Sequence, residues 1–251
     1  MRTLTQDLSI YSKFNFENQP VGVKFLLTRP EGMKQIDKSL PFCEMFKEAQ
    51  QSKAPFYFTK ENESCVGTIV LGMEEMLPFV EGGMVGPELE IYQEARANNK
   101  IYQYVPKFKK GVVNYVVFSP LDKLSFEPDL LILTATPSQA EIVMRAMSYS
   151  TGEIWDPKLT PVLGCAWLYA HPFLNGKVNY MITGMTFGMK AKRSFEEGWI
   201  LISIPYNWIP TITQNLKEIK WVLPSYAEGR EKFLKREEAI FNRLEKATRN
   251  P

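Results

Sequence analysis

Two spacings of apolar residues alternate along the chain, one typical of strands and one of helices. Short apolar runs bounded by Pro, Gly, Asn or Asp recur at Val21 to Leu27, Phe56 to Thr59, Asn114 to Ser119, Asp129 to Ala135, Lys177 to Thr183 and Trp199 to Ile204. Their length and their content of β-branched and aromatic residues predict buried strands. Between them, Leu8, Tyr11 and Phe14 recur at helical intervals, as do Leu89, Tyr92 and Ala95 within Glu88 to Asn99. A further helix runs from Ser39 through Gln51, with Pro41 in a first turn where no amide donor is missed. Thr136-Pro137-Ser138-Gln139 places an N-cap, a first-turn proline and a capping-box glutamine in order, and so predicts a helix over 137–149. A short helix is expected around Cys165, and two more close the chain, Pro210 to Lys220 and Ser225 to Ala247. The last puts Phe233, Leu234, Ile240, Phe241 and Leu244 on one stripe. Lys60 to Pro87 holds glycines at 67, 72, 82, 83 and 86 and reads as irregular and mobile.

Helices and strands interleave without the regular alternation that a doubly wound parallel sheet demands. The pattern therefore predicts an α+β fold with a mixed sheet, α/β being the alternative. At 251 residues, with neither repeat nor low-complexity linker, the chain is expected to form a single domain ending in a helical segment, about 210–248.

Composition narrows the partners. Thirty basic residues against 28 acidic ones leave a formal charge of +2, too balanced for the basic field that nucleic-acid binding requires. Runs such as DLLILTA and GWILISIP fall far short of the roughly 20 residues that cross a bilayer, so no membrane association is expected. The N-terminus carries Asp7 and several polar residues, and no cleaved leader is expected. Three cysteines make no disulfide framework and fit a reducing compartment, so a cytoplasmic location is expected.

Catalytic signatures are few. The chain has one histidine, His171, in the apolar segment WLYAHPFL, and no HExxH, Walker loop, nucleophile elbow or spaced GxGxxG. A histidine among aromatics is more often a core residue than a base. The cysteines sit at more suggestive places. Cys43 falls in a first helical turn, where free amides and the positive end of the dipole are expected to lower a thiol pKa. Cys65 lies in the glycine-rich stretch, and Cys165 follows Gly164. Three thiolates suit an iron–sulfur cluster with one iron open to a substrate. Their spacings of 22 and 100 residues match no compact motif, and buried cysteines are commonly small hydrophobes. Thr136, Ser138 and Gln139, at the end of a buried strand, form a second candidate, for an anion, although helix capping explains the same residues. The basic runs Lys107 to Lys110 and Lys190 to Arg193 read as solvated surface.

The segments PVGVKF (20–25), FCEMFKEA (42–49), ESCVGTIVLGM (63–73), PDLLILTATPSQAEIVMRA (128–146) and LGCAW (163–167) together resemble the ArCR family, a domain of unknown function, over about 19–204. The resemblance implies that Cys43 with Glu44, Cys65 with Gly67 and Gly72, and Cys165 belong to one site. It brings no established reaction. The leading expectation is a cytoplasmic three-cysteine metal or iron–sulfur protein doing redox or Lewis-acid chemistry on a small molecule, with Glu44 as proton carrier and 61–87 as a lid. The alternative is a non-catalytic binder of a small acidic or apolar ligand. The amphipathic terminal helix leaves a homo-oligomer open.

Overall fold

The computed structural model describes residues 1–249, which form two compact units, one spanning Met1–Lys217 and the other starting at Glu218. In the first unit a seven-stranded mixed sheet has the order β2-β3-β4-β1-β5-β7-β6. Its strands are β1 (Val21–Leu26), β2 (Lys34–Gln35), β3 (Phe56–Phe58), β4 (Tyr115–Pro120), β5 (Leu130–Ala135), β6 (Asn179–Ile182) and β7 (Ile200–Pro205). All neighbours pair antiparallel except β2 with β3. This is the expected α+β mixed sheet.

Six of the strands stand where the apolar runs placed them; β2 was not legible, because its two exposed polar residues carry no burial signal. A polar two-residue strand at an edge also offers little template for unwanted pairing. β1 takes the centre because Val21, Val23 and Phe25 are buried on one face. Its register against β5 is pinned by Asp129, which accepts from Lys24 Nζ at 2.6 Å and from the Phe25 amide at 2.8 Å.

Helices of the first unit are α1 (Phe42–Gln51), α2 (Gly67–Val70), α3 (Pro78–Glu81), α4 (Val85–Glu88), α5 (Ala95–Tyr104), α6 (Pro137–Tyr149), α7 (His171–Asn175), α8 (Phe187–Ala191) and α9 (Ile209–Glu218). A 3-10 helix over Ser9–Phe14 replaces the first expected helix. The glycine-rich stretch is not shapeless: α2, α3 and α4 occupy it in single turns. The helix expected over Glu88 to Asn99 lies further on, as α5, because Glu90 takes a left-handed conformation (φ 57°) and Glu94 is extended.

α1 packs on β1 and β4, and its Phe42 stacks on Tyr169 with ring centroids 4.0 Å apart. Phe58 and Phe118 complete this aromatic cluster, and such pairs add about 0.5–1.5 kcal/mol beyond area burial. α6 packs on β5 and β7, as its buried Val143 and Met147 require. Tyr169 belongs to a π-helical turn, Ala166–Ala170, that leads into α7. In the second unit, α10 (Pro224–Ala227) and α11 (Arg230–Arg249) divide the continuous helix expected from Ser225 to Ala247, because Gly229 turns the chain at φ 74°. No helix among the described residues is long and apolar enough to cross a membrane.

Candidate functional site

The three cysteines, far apart in sequence, line one small pocket of about 60 Å³ together with Glu63, Thr186 and Lys192. Cys43 comes from the start of α1, Cys65 from the turn before α2, Cys165 from the residue preceding the π-helical turn, and Lys192 from the end of α8. All three thiols are free.

Glu63 assembles the floor of this pocket. Its Oε1 accepts from the Phe42 amide at 2.9 Å, which caps α1 from a distant segment. Its Oε2 accepts from the amides of Cys65 at 2.9 Å, Gly67 at 3.1 Å and Thr68 at 3.4 Å. Burial pushes the Glu63 carboxyl above its ordinary range, against the pull of these four amides. Gly67 has no room for a side chain, since a Cβ there would meet the Glu63 carboxyl carbon at 2.9 Å. Gly164 is similarly fixed: a Cβ would meet Thr186 Cγ2 at 2.8 Å. Leu163 (φ 56°) and Arg193 (φ 52°), neighbours of Gly164 and Lys192, both hold left-handed conformations that cost a non-glycine residue on the order of 1 kcal/mol or more.

The sulfurs differ in environment. Cys65 is exposed and accepts a hydrogen bond from Lys192 Nζ at 2.7 Å. Burial pulls Lys192 down, yet the hydrogen bond to Cys65 and the nearby negative groups carry it above the ordinary lysine value, so it stays an ammonium. Cys43 is buried and donates to Ser194 Oγ at 3.3 Å, while the Ser194 hydroxyl points to Glu44 Oε1 at 3.5 Å. Here the expected effect of the helix start is overturned. Desolvation of the sulfur outweighs the Ser194 hydrogen bond and the Lys192 charge, and pushes the Cys43 thiol up. Cys165 is partly exposed as a residue, but its sulfur is desolvated; burial, then the charge of Glu63, push its thiol up as well.

Two hydroxyls have no partner here. Thr186 is 2% exposed and lines the pocket, and its Oγ1 makes no hydrogen bond. It is the N-cap of α8 but does not cap it. Tyr169, which does not line the pocket, is fully buried with its hydroxyl unpartnered, and burial, then the charges of Cys43 and Cys165, raise its pKa.

The other candidate residues lie elsewhere. Glu44 touches the pocket only through Ser194, and Gly72 (φ 68°) faces the backbone of Phe108 and Lys109. Thr136 and Gln139 exchange both capping-box hydrogen bonds, at 3.3 and 2.9 Å, and Gln139 Nε2 also donates to the Phe14 carbonyl. These bonds cap α6, whose first turn also contains the exposed Ser138. His171 is half-buried, with Asn175 Nδ2 3.2 Å from its Nδ1. Among the described residues, no group of three or more His, Cys, Asp or Glu side chains is arranged to hold a metal ion. Sequence reasoning missed Glu63, Thr186 and Tyr169 and read Lys192 as solvated surface; the only local signal was the position of Glu63 two residues before Cys65.

The mixed sheet and the pocket at which its cysteine segments meet define an α+β protein with a thiol-lined site. The chain belongs to the uncharacterised ArCR family, domain of unknown function 169, whose profile matches residues 9–215. It is similar to uncharacterized protein MJ0308 of Methanocaldococcus jannaschii, at 26% identity over 125 residues, 49% of this chain and 53% of that protein. The chain thus matches about half the length of that relative. No solved structure matches.

Proposed function

We propose that the pocket binds the reactive end of a small electrophilic molecule, with Cys65 as the nucleophile and Lys192 as its counter-ion. The observation that carries this reading is the ammonium 2.7 Å from an exposed sulfur. An adjacent lysine is an arrangement that favours a reactive thiolate. Burial keeps the other two thiols protonated, which leaves Cys65 as the accessible nucleophile. A pocket of about 60 Å³ takes a group of a few heavy atoms, whereas whole drug-sized ligands occupy roughly 300–1,000 Å³. The test is competitive labelling with methyl methanethiosulfonate followed by peptide mapping. Cys65 is expected to react first and Cys43 last; equal rates at all three sites, or Cys65 slowest, would remove the basis for the reading.

A second reading, a soft metal or iron–sulfur centre held by Cys43, Cys65 and Cys165 and used in redox or Lewis-acid chemistry, draws on three free cysteines lining one pocket, and it needs them to move, since among the described residues no three such side chains are arranged to hold a metal ion. It requires the thiols to lose their protons to the metal and Cys65 to give up Lys192. Metal and acid-labile sulfide analysis of protein prepared without oxygen separates the two: iron with sulfide near cluster stoichiometry favours the centre, and metal-free protein with a reactive Cys65 favours the nucleophile.

A further inference from the structure

The contact between Lys192 Nζ and Cys65 Sγ is closer than a hydrogen bond to sulfur requires. Charge-assisted N–H···O bonds span about 2.7–2.9 Å, and sulfur is a larger acceptor than oxygen, yet these two atoms stand 2.7 Å apart. Both ends are anchored. The Cys65 amide is held by Glu63 at 2.9 Å, and the Lys192 amide closes the end of α8 on the Gly188 carbonyl at 3.2 Å. Both residues are exposed, so a small solute reaches the contact from solvent. A nitrogen and a sulfur joined through one shared oxygen lie at about this separation, across two single bonds bent at the oxygen. A direct sulfur–nitrogen bond would draw them well inside it.

Resting on the nucleophile reading of Cys65, we infer that this pair is a modification site, at which a hydroperoxide forms a covalent sulfur–oxygen–nitrogen bridge between Cys65 and Lys192 that closes the nucleophile until a dithiol reopens it. In the first step the Cys65 sulfur pair attacks a peroxide oxygen, the S–O bond forms, the O–O bond breaks, and the Lys192 ammonium protonates the departing hydroxide to water. A neutral sulfenic acid then faces a free amine. With the negative sulfur gone, burial, which disfavours the ammonium, keeps that amine available. Its nitrogen pair attacks a second peroxide, forming N–O and releasing water. The new hydroxylamine oxygen displaces the sulfenic hydroxyl from sulfur as a third water. Sulfur and nitrogen each lose two electrons to one peroxide, and two equivalents of a dithiol return thiol and amine with the oxygen leaving as water.

The test treats the full chain, reduced beforehand, with hydrogen peroxide and reads it by peptide mass mapping, methyl methanethiosulfonate labelling and urea unfolding. Peroxide is expected to join the Cys65 and Lys192 peptides with gain of one oxygen and loss of two hydrogens, and to abolish labelling at Cys65. The urea midpoint should rise, because a link between residues 127 apart in sequence constrains the unfolded chain. Dithiothreitol should reverse all three changes. Lys192→Arg keeps a cation beside the sulfur but offers no free amine, and should stop at a sulfenic acid that dimedone traps; Lys190→Met should bridge as the parent does. Thermal melts verify that each variant folds. If Cys65 labels readily in the reduced protein but peroxide yields only its oxygen acids, or a link lacking the oxygen, the bridge is overturned while the nucleophile reading stands. If Cys65 fails to label after reduction, the nucleophile reading falls, and this inference with it.

Discussion

Two threonines begin helices in this molecule, and they spend their hydroxyls differently. At α6, Thr136 accepts from the Gln139 amide at 3.3 Å and Gln139 returns the bond at 2.9 Å, so the helix start is closed upon itself. At α8, Thr186 occupies the same N-cap position with no side-chain bond, and the third helical residue is Met189, which has no polar group to return. The first start is satisfied locally by its own capping box. The second keeps its hydroxyl unpaired beside three cysteines. The contrast teaches that a candidate site is marked less by polar residues at a helix start than by polar capacity the fold leaves unused.

Glu63 supplies the sharpest way to test how helix starts are held here, because it caps α1 from outside that helix. Glu63→Gln puts an NH₂ where amides need an acceptor and should destabilise the first unit by about 2–3 kcal/mol in urea unfolding. The same residue gives a pH signature. Its folded pKa lies above the ordinary 4.5, so the folded chain holds this proton to higher pH than the unfolded chain does. Its contribution to stability is full below that ordinary value and is lost as pH rises through the raised one. The difference between parent and Glu63→Gln unfolding curves should shrink over that window; a difference that grows with pH would reverse the sign.

Lys192→Met removes the ammonium from Cys65 and should slow thiol labelling about tenfold at neutral pH, with Lys190→Met as the control that leaves it unchanged. Thr136→Val should cost about 1 kcal/mol, the usual value of a lost N-cap. Thr186→Val should stabilise the first unit by about 1 kcal/mol, since no bond is broken and a buried idle hydroxyl is replaced by a methyl group. A cost at Thr186 equal to that at Thr136 would erase the distinction between the two helix starts.

What the sequence made legible follows the range of the forces involved. β5 and β7 are continuous apolar runs buried along nearly their whole length, and α6 carries its own start signal, so these elements were readable from adjacent residues. The meeting of the cysteines was an expectation drawn from a family resemblance, not from spacing, because their joint position depends on a carboxylate reaching from Glu63 to Phe42. The dipole argument for Cys43 failed because local sequence gives the helix start but not the desolvation of the sulfur. Lys192 sits within a run of basic residues that looks like any solvated surface, and only the folded chain sets its nitrogen against Cys65. The idle state of Thr186 and Tyr169 is a property of what surrounds them and leaves no trace in their neighbours along the chain.

The four-amide grip of Glu63 also bears on how the molecule comes to exist. One carboxylate accepts from position 42 and from positions 65, 67 and 68, so the start of α1 and the Cys65 turn are two ends of a single loop closure. Neither end is complete until the other arrives. During refolding, protection of the Phe42 amide and of the Gly67 amide from hydrogen exchange should therefore appear in one kinetic phase, and the thiol pocket should have no history as a partly built object.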